Sequence, residues 1–323
     1  MKFRNLTGTG LHVSELCLGT MTFGGQTNEQ DSIEIIRYAI EQGINFIDTA
    51  DQYNGGASEI ATGKGIKGNR DHLILASKVF SPHSDDINDR GLTRRHIITA
   101  VEKSLKNLDT DYLDIYYLHS PDRATPIEET LEAMTTLVRS GKVRYIGVSN
   151  FASWQICEML WVSDKRNGIP PVVSQNVYNL LTRDLEDELL PFARKHRIGV
   201  VVYNPIAAGL LTGKYAAGEP ADGNTRFSIN PMYRQRYFHE ENLAAVRQLT
   251  AIAADSGMSI LEFAMKWCLA QPSIISVLTG VSRLTQLEQN IAAVDGDGIG
   301  TSAMARCDEV WTALPNNRFK YNR

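Results

Sequence analysis

The stretch Ile44-Asn45-Phe46-Ile47-Asp48-Thr49-Ala50-Asp51-Gln52-Tyr53 decides how this chain is read. Gly43 stops the helical pattern before it, and the apolar residues that follow read as a short buried strand ending on a carboxylate. A loop with a phenol at its end comes next. Working outward, Lys78 closes Leu73-Ile74-Leu75-Ala76-Ser77, and His119 closes Leu113-Asp114-Ile115-Tyr116-Tyr117-Leu118. A carboxylate, a phenol, an ammonium and an imidazole therefore stand at or just past the ends of three consecutive strands. Packing alone rarely calls for such a set.

The strand-then-helix pattern recurs along the chain. Ser14 to Leu18 is the first core strand, ending in Gly19-Thr20, and further strands are expected near 44–48, 73–77, 113–118, 143–148, 172–177, 198–203 and 274–278. Helical stretches fall between them at 93–107, 127–139, 153–164, 185–196 and 240–270. Thr27-Asn28-Glu29-Gln30 reads as a capping box ahead of the helical face Ile33, Ile36, Ile40. Thr125 reads as an N-cap with Pro126 at the first helical position, Glu128 completing the box and Gly141 past the end. Ahead of all this, Thr7-Gly8-Thr9-Gly10 is a turn signal for a small hairpin. Eight alternating units with strands buried on both faces imply a parallel sheet closed on itself. The expected fold is α/β: a (β/α)8 TIM barrel with an N-terminal β-hairpin and extended loops at the C-terminal face, one domain over 1–323. The irregular stretch from Ala216 to His239 is expected to be a lid or binding loop, and the polar tail after Pro315 to lie on the surface.

Whole-chain properties remove several classes of function. A formal net charge of -4 argues against general nucleic-acid or anionic-membrane binding. Cys17, Cys157, Cys268 and Cys307 form no Cys-x-x-Cys and read as reduced, mostly buried thiols. Met1-Lys2-Phe3-Arg4-Asn5 opens no apolar signal segment, and no run is long enough to cross a bilayer, so a cytoplasmic protein is expected. Asn5-Leu6-Thr7 matches a glycosylation sequon by chance.

The strand ends read Gly19-Thr20, Asp48, Lys78, His119, Ser149-Asn150, Gln175-Asn176, Tyr203-Asn204 and Thr279-Gly280, all at the face where barrels carry chemistry. A tyrosine with an ordinary pKa near 10 is a slow proton donor, and an adjacent lysine cation favours its phenolate. A buried lysine needs a counter-charge, which Asp48 supplies, and His119 is placed to orient a substrate oxygen. The set suits proton donation to a carbonyl oxygen as it becomes an alkoxide. No side chain supplies a hydride, so a cofactor must. Ser149, Asn150 and Gln175 offer partners for a carboxamide, and Tyr203 offers a ring face for a heterocycle. Asp48 with His119 gives too few ligands for a metal hydrolase, and no metal site is expected. Gly63-Lys64-Gly65-Ile66-Lys67-Gly68 matches G-x-G-x-x-G outside a strand-to-helix setting, and Gly209-Leu210-Leu211-Thr212-Gly213-Lys214-Tyr215 is one residue short of a P-loop.

The ordered set Asp48-Thr49-Ala50…Tyr53, Ala76-Ser77-Lys78, Leu118-His119, Gly147-Val148-Ser149-Asn150, Gln175-Asn176-Val177-Tyr178, Tyr203-Asn204-Pro205, Gly209 to Lys214 and Gly280-Val281-Ser282…Gln286…Asn290 resembles the aldo-keto reductase superfamily nearly end to end. The resemblance implies a barrel that binds NADP(H) across its mouth without a Rossmann fold and reduces a small aldehyde or ketone. By position it implies Tyr53 as general acid, Lys78 and Asp48 as its tuning pair, and His119 at the carbonyl. It implies cofactor contacts from Gly19, Thr20, Met21, Asp48, Ser149, Asn150, Gln175 and Tyr203. Asn204, Pro205, Ile206, Ala207, Ala208, Gly209 and Leu210 would wrap the pyrophosphate, with Lys214 and Arg226 at the bridge and lid. Gly280, Ser282, Arg283, Gln286, Gln289 and Asn290 would surround the adenosine end. Gln289 departs from the family's usual Glu, and Arg283 suits a 2′-phosphate, favouring NADP over NAD. Met21, Phe23, Phe80 and Phe151 follow strand ends, where they would line an apolar entrance or simply pack. Potassium-channel β-subunits resemble the same family and act chiefly as cofactor sensors. The enzyme is expected instead, because no membrane-partner feature and no extension ahead of the barrel is seen in the sequence.

Overall fold

Strand pairing in the computed structural model, which describes residues 1–215, 226–314 and 321, closes a barrel. Two short strands, β1 (Phe3–Asn5) and β2 (His12–Ser14), form the expected antiparallel hairpin. The barrel strands are β3 (Leu16–Gly19), β4 (Phe46–Asp48), β5 (Ile74–Val79), β6 (Leu113–Leu118), β7 (Val143–Ser149), β8 (Pro171–Val177), β9 (Gly199–Tyr203) and β10 (Ile274–Gly280). Each pairs in parallel with the next, and β10 returns to β3 with Val277 opposite Leu16 and Gly280 opposite Gly19. This is the eight-stranded parallel barrel that the alternating pattern implied.

Helices wrap the outside. They are α1 (Glu29–Glu41), α2 (Ala57–Ile66), α3 (Arg94–Leu108), α4 (Ile127–Arg139), α5 (Ser153–Arg166), α6 (Leu189–His196), α7 (Arg226–Ile229), α8 (Pro231–Tyr237), α9 (Glu240–Asp255), α10 (Ile260–Ala270), α11 (Leu284–Ala293) and α12 (Thr301–Ala313). Several local expectations are corrected. Asn28, not Thr27, caps α1 by accepting from the Asp31 amide at 2.9 Å, because the side chain one residue closer to the helix reaches the orphan donor. Thr125 does not cap α4: its hydroxyl donates to Asp122 at 2.7 Å, and Pro126 occupies the N-cap. The stretch 240–270 is two helices, broken where Gly257 takes φ +71°. Residues 226–237, expected to be irregular, form α7 and α8, with Asn230 capping α8 ahead of Pro231. The remainder of the expected lid, 216–225, and the tail from 315, apart from Tyr321, lie outside the described residues.

The glycine-rich decoy has a packing explanation. Gly63 and Gly65 sit inside α2, where a Cβ would stand 2.6 Å from the Leu108 carbonyl oxygen and 2.7 Å from Ile36. They let α2 lie close against α1 and α3, and they hold no phosphate loop.

Two cores result. The larger lies between strands and helices; the smaller fills the barrel with Cys17, Phe46, Ala76, Ile115, Tyr117, Val173, Val201 and Ile275. Leu6 and Val13 of the hairpin segment join this inner core, and Arg4 donates to the carbonyl of Ile274 at the start of β10 at 2.8 Å. The hairpin thus plugs the N-terminal end of the barrel and leaves the opposite end as the mouth. Among the described residues no helix is long and apolar enough to cross a membrane.

Gly147 makes the inner layer possible, since a Cβ there would meet the Tyr117 ring at 2.4 Å. Gly147→Ala is expected to cost about 1–3 kcal/mol, because the ring is fully enclosed and has nowhere to move. Urea unfolding should show a lower midpoint at unchanged slope; an unchanged midpoint would mean that Tyr117 yields freely.

Candidate functional site

Side chains alternate across a strand, so residues two apart share a face. Stepping up the inward face from the apolar layer, Phe46 leads to Asp48, Ala76 to Lys78, Tyr117 to His119, Val173 to Gln175 and Val201 to Tyr203. The same parity that fills the barrel with hydrocarbon below delivers polar groups to its mouth above. Backbone bonds across strand ends hold that layer: Thr20 donates to the Asp48 carbonyl at 3.0 Å, Asp51 to that of Lys78 at 3.3 Å and His119 to that of Val79 at 3.0 Å.

Lys78 and Asp48 form an ion pair with both side chains out of solvent. The Lys78 ammonium also donates to the Thr49 carbonyl at 2.8 Å and to the Tyr53 hydroxyl at 3.4 Å. Gln175 donates through Nε2 to the second Asp48 oxygen at 2.8 Å. Tyr53 begins a 3-10 turn (Tyr53–Gly56), and its ring stands edge-on to His119 with centroids 5.9 Å apart. Gln52 Nε2 lies 3.4 Å from His119 Nδ1. All four residues expected to act together meet at one place.

Burial governs how they titrate. Burial is the largest single influence on Lys78 and works against its cation, but the Asp48 carboxylate and the Tyr53 hydroxyl together outweigh it and hold the ammonium above the ordinary lysine value. Tyr53 and His119 are part-exposed at the rim, yet both are closely surrounded by protein. Burial raises the Tyr53 phenol, with the Lys78 cation opposing it. The lysine pulls this phenol down, as expected, but desolvation exceeds its pull and the net shift is upward. Burial, then Lys78, pushes the His119 imidazole down to about 3, so it is neutral at physiological pH.

The remaining mouth residues are placed as follows. Asn150, at φ +64°, donates to the His119 carbonyl at 3.0 Å and to Ser149 at 3.1 Å, and accepts from the Tyr203 hydroxyl at 2.8 Å. Asn204 accepts from the Ala208 amide at 2.6 Å and donates to the Tyr237 hydroxyl at 2.8 Å. It anchors a turn in which Ala207, Ala208 and Gly209 all have positive φ. The Lys214 ammonium lies against this turn, 3.4 Å from where a Gly209 Cβ would stand. Across the mouth, Gly280 is exposed with open space at its Cβ position, and Ser282 donates to Gln286 at 2.8 Å. Arg283 is the exposed N-cap of α11, Gln289 is exposed on that helix, and Asn290 is buried, donating to Thr279. Arg226 opens α7, but its side chain lies outside the described residues. Met21 is 41 % exposed beside the mouth, whereas Phe23 and Phe151 belong to the large core and do not line an entrance.

Sequence reasoning missed two features. Asn54, at φ +52°, donates to the carbonyls of Met21 and Phe23 and so ties the Tyr53 turn to the β3 loop; an Asn-Gly-Gly run signals such a turn. Asp51, His83 and His96 also gather into one group, which has no sequence-local spacing.

Comparison with known proteins agrees with this geometry. A model of the Aldo/keto reductase family matches residues 15–312. The chain is 39 % identical over 295 residues to aldo-keto reductase YhdN of Bacillus subtilis, covering 89 % of this chain and 87 % of that protein. It is 36 % identical over 301 residues to a probable voltage-gated potassium channel subunit beta of Arabidopsis thaliana, covering 91 % and 92 %. An uncharacterized oxidoreductase YrpG of B. subtilis is 38 % identical over 307 residues, covering 91 % of each.

Lys78→Met would leave Asp48 buried with only the Gln175 amide for company. The expected loss is about 3–5 kcal/mol near neutral pH. Burial already raises Asp48, and without the cation it rises further. The folded state then binds the Asp48 proton where the unfolded state, titrating near pH 4, does not. Stability of the variant therefore falls as pH climbs above roughly 4 and recovers below it. Urea unfolding at several pH values checks this; a deficit independent of pH would refute the uncompensated-carboxylate account.

Proposed function

The chain belongs to the aldo/keto reductase family, and from that premise we propose that it is an oxidoreductase that uses NADPH to reduce an aldehyde or ketone to an alcohol. The observation that carries this reading is the buried Lys78–Asp48 pair with the Tyr53 hydroxyl 3.4 Å from the ammonium and His119 beside it.

Bound NADPH would supply the hydride. Ser149, Asn150 and Gln175 would hold its carboxamide, with Gly19, Thr20, Met21 and Tyr203 around the nicotinamide half. Gln175 already spends its Nε2 on Asp48, and Asn150 is engaged by Tyr203, so both arrive oriented by partners within the protein. The positive-φ turn from Asn204 to Leu210, with Lys214 against it, supports a pyrophosphate wrap of turn backbone and one cation. Arg283 at the N-terminus of α11 suits the 2′-phosphate, with Ser282, Gln286, Gln289 and Asn290 around the adenosine and open space at Gly280.

Tyr53 is the proton donor in this reading. Its raised pKa keeps the phenol protonated until charge develops on the substrate oxygen, and the Lys78 cation then stabilises the phenolate left behind. Asp48 keeps Lys78 charged. His119 is neutral, and a Gln52 amide donating to its Nδ1 would leave the ring proton on Nε2 for the carbonyl oxygen. The free thiols of Cys17, Cys157, Cys268 and Cys307 support a reducing compartment, the cytoplasm.

The plant channel-subunit relative favours a second reading, a cofactor-sensing regulator with slow turnover. Turnover separates the two. NADPH absorbance followed against a panel of aldehydes and ketones should show sustained multiple turnovers; tight NADPH binding with almost none would favour the regulator.

Tyr53→Phe is expected to keep cofactor affinity and lose roughly 10²–10⁴ in kcat, the usual contribution of a positioned acid. Undiminished kcat would remove Tyr53 from the donor role. For cofactor choice, Arg283→Ala should weaken NADPH at least about tenfold more than NADH, a difference of about 1.4 kcal/mol. Equal losses, read by fluorescence titration, would place the phosphate elsewhere.

A further inference from the structure

One group of side chains, drawn from the segments after β4 and β5 and from the start of α3, is not used by the proposed reaction. Asp51, His83 and His96 each offer a ligand atom, and these atoms all lie within 4.8 Å of one another. They are enclosed: the side chains of Asp51, His83 and His96 are 1 %, 8 % and 0 % exposed. Both Asp51 oxygens, His83 Nε2 and His96 Nε2 are buried without a hydrogen-bond partner. His83 Nε2 stands 2.9 Å from Asp51 Oδ2 without the alignment of a hydrogen bond. The two imidazoles are tilted at 57°, with centroids 5.1 Å apart, and do not stack.

A simple Asp51–His83 ion pair leaves the second Asp51 oxygen and His96 Nε2 unpaired, and buried polar atoms without partners are costly. A cation among the three would satisfy both imidazole nitrogens and one Asp51 oxygen at once. The outer contacts fit as well. His96 Nδ1 is 3.0 Å from the Asp89 carboxylate, which fixes the tautomer that leaves Nε2 as a lone-pair donor pointing inward. Two imidazoles and one carboxylate suit a first-row divalent ion such as zinc, with a fourth position left for water.

We propose that Asp51, His83 and His96 bind one zinc-class divalent cation at a site separate from the reducing mouth, with Asp89 holding His96 from behind. The ligands come from three segments. Asp51 lies two residues before Tyr53, His83 comes from the loop that returns at Gly91, whose amide donates to Phe80 at 2.7 Å, and His96 lies in the first turn of α3. The ion would tie that loop and helix to the turn carrying Tyr53. The binding itself does not depend on the reductase reading.

The test uses full-length protein stripped of metal with a chelator, then titrated with Zn²⁺ against a chromogenic competitor and with Co²⁺ by visible absorption. The expected result is one equivalent of Zn²⁺, a Co²⁺ spectrum of low coordination number, and a rise in Tm with added zinc. His83→Ala and Asp51→Asn should each weaken Zn²⁺ by roughly 100-fold or more, and Asp89→Asn by roughly 10–100-fold as expected for an outer partner. Circular dichroism checks folding; should the inner variants fail to fold, Asp89→Asn, at a side chain 22 % exposed, carries the test. Absence of stoichiometric binding would mean that water fills the space and overturns the proposal. Binding that survives all folded variants unchanged would place the metal elsewhere, for instance at exposed Cys157, and also overturns it.

Discussion

An ammonium and a carboxylate pressed together where no solvent reaches them, Lys78 against Asp48, is the constraint around which the upper half of this barrel is arranged. Each charge alone would cost several kcal/mol to bury, and the pair repays that only when the remaining donors and lone pairs are met. Here they are: Thr49 takes one lysine proton, Tyr53 faces another, and Gln175 reaches across the barrel to the free carboxylate oxygen. The strands that supply these groups must therefore keep their register. A one-residue slip would turn Lys78 out of the mouth and leave Asp48 alone.

The lower barrel secures that register by packing. Tyr117, Phe46 and Ile115 fill the interior, Gly147 gives the tyrosine ring its space, and the hairpin segment closes the bottom with Leu6 and Val13. Such a floor leaves the polar layer only one way to face. Below the polar residues lies packed hydrocarbon, and in such surroundings their mutual contacts are correspondingly strong. The same low dielectric explains why burial, and not the lysine, sets the sign of the Tyr53 shift. A phenol that resists ionising at rest is a donor held ready, which fits proton delivery better than a phenolate would.

Behind this layer, Asp51, His83 and His96 show the same economy of contact around a different need. Three buried groups without mutual hydrogen bonds are costly unless something joins them, and their outer partner Asp89 is already in place. Asp51 and Tyr53 share one short turn, so occupation of that cluster would bear on the position of the phenol.

Much of this protein was legible from the chain alone. Period-two and period-3.6 patterns, read with Gly43 and Gly141 as stops, sufficed for eight strand-helix units and hence a closed barrel, because hydrophobic parity is a local property. The residues at the strand ends were visible for the same reason: Asp48, Lys78, His119, Gln175 and Tyr203 each continue an inward-facing alternation. Helix caps were read less well, since Asn28 and Thr27 both have the right chemistry and only backbone geometry chooses between them. Tertiary structure alone decided what depends on several segments meeting. It buried Tyr53 deeply enough to make the net shift upward, chose packing over an entrance for Phe23 and Phe151, and brought His83 and His96 from separate segments onto Asp51. Sequence records which side chains each segment carries. Desolvation and distance between segments exist only once the barrel has closed.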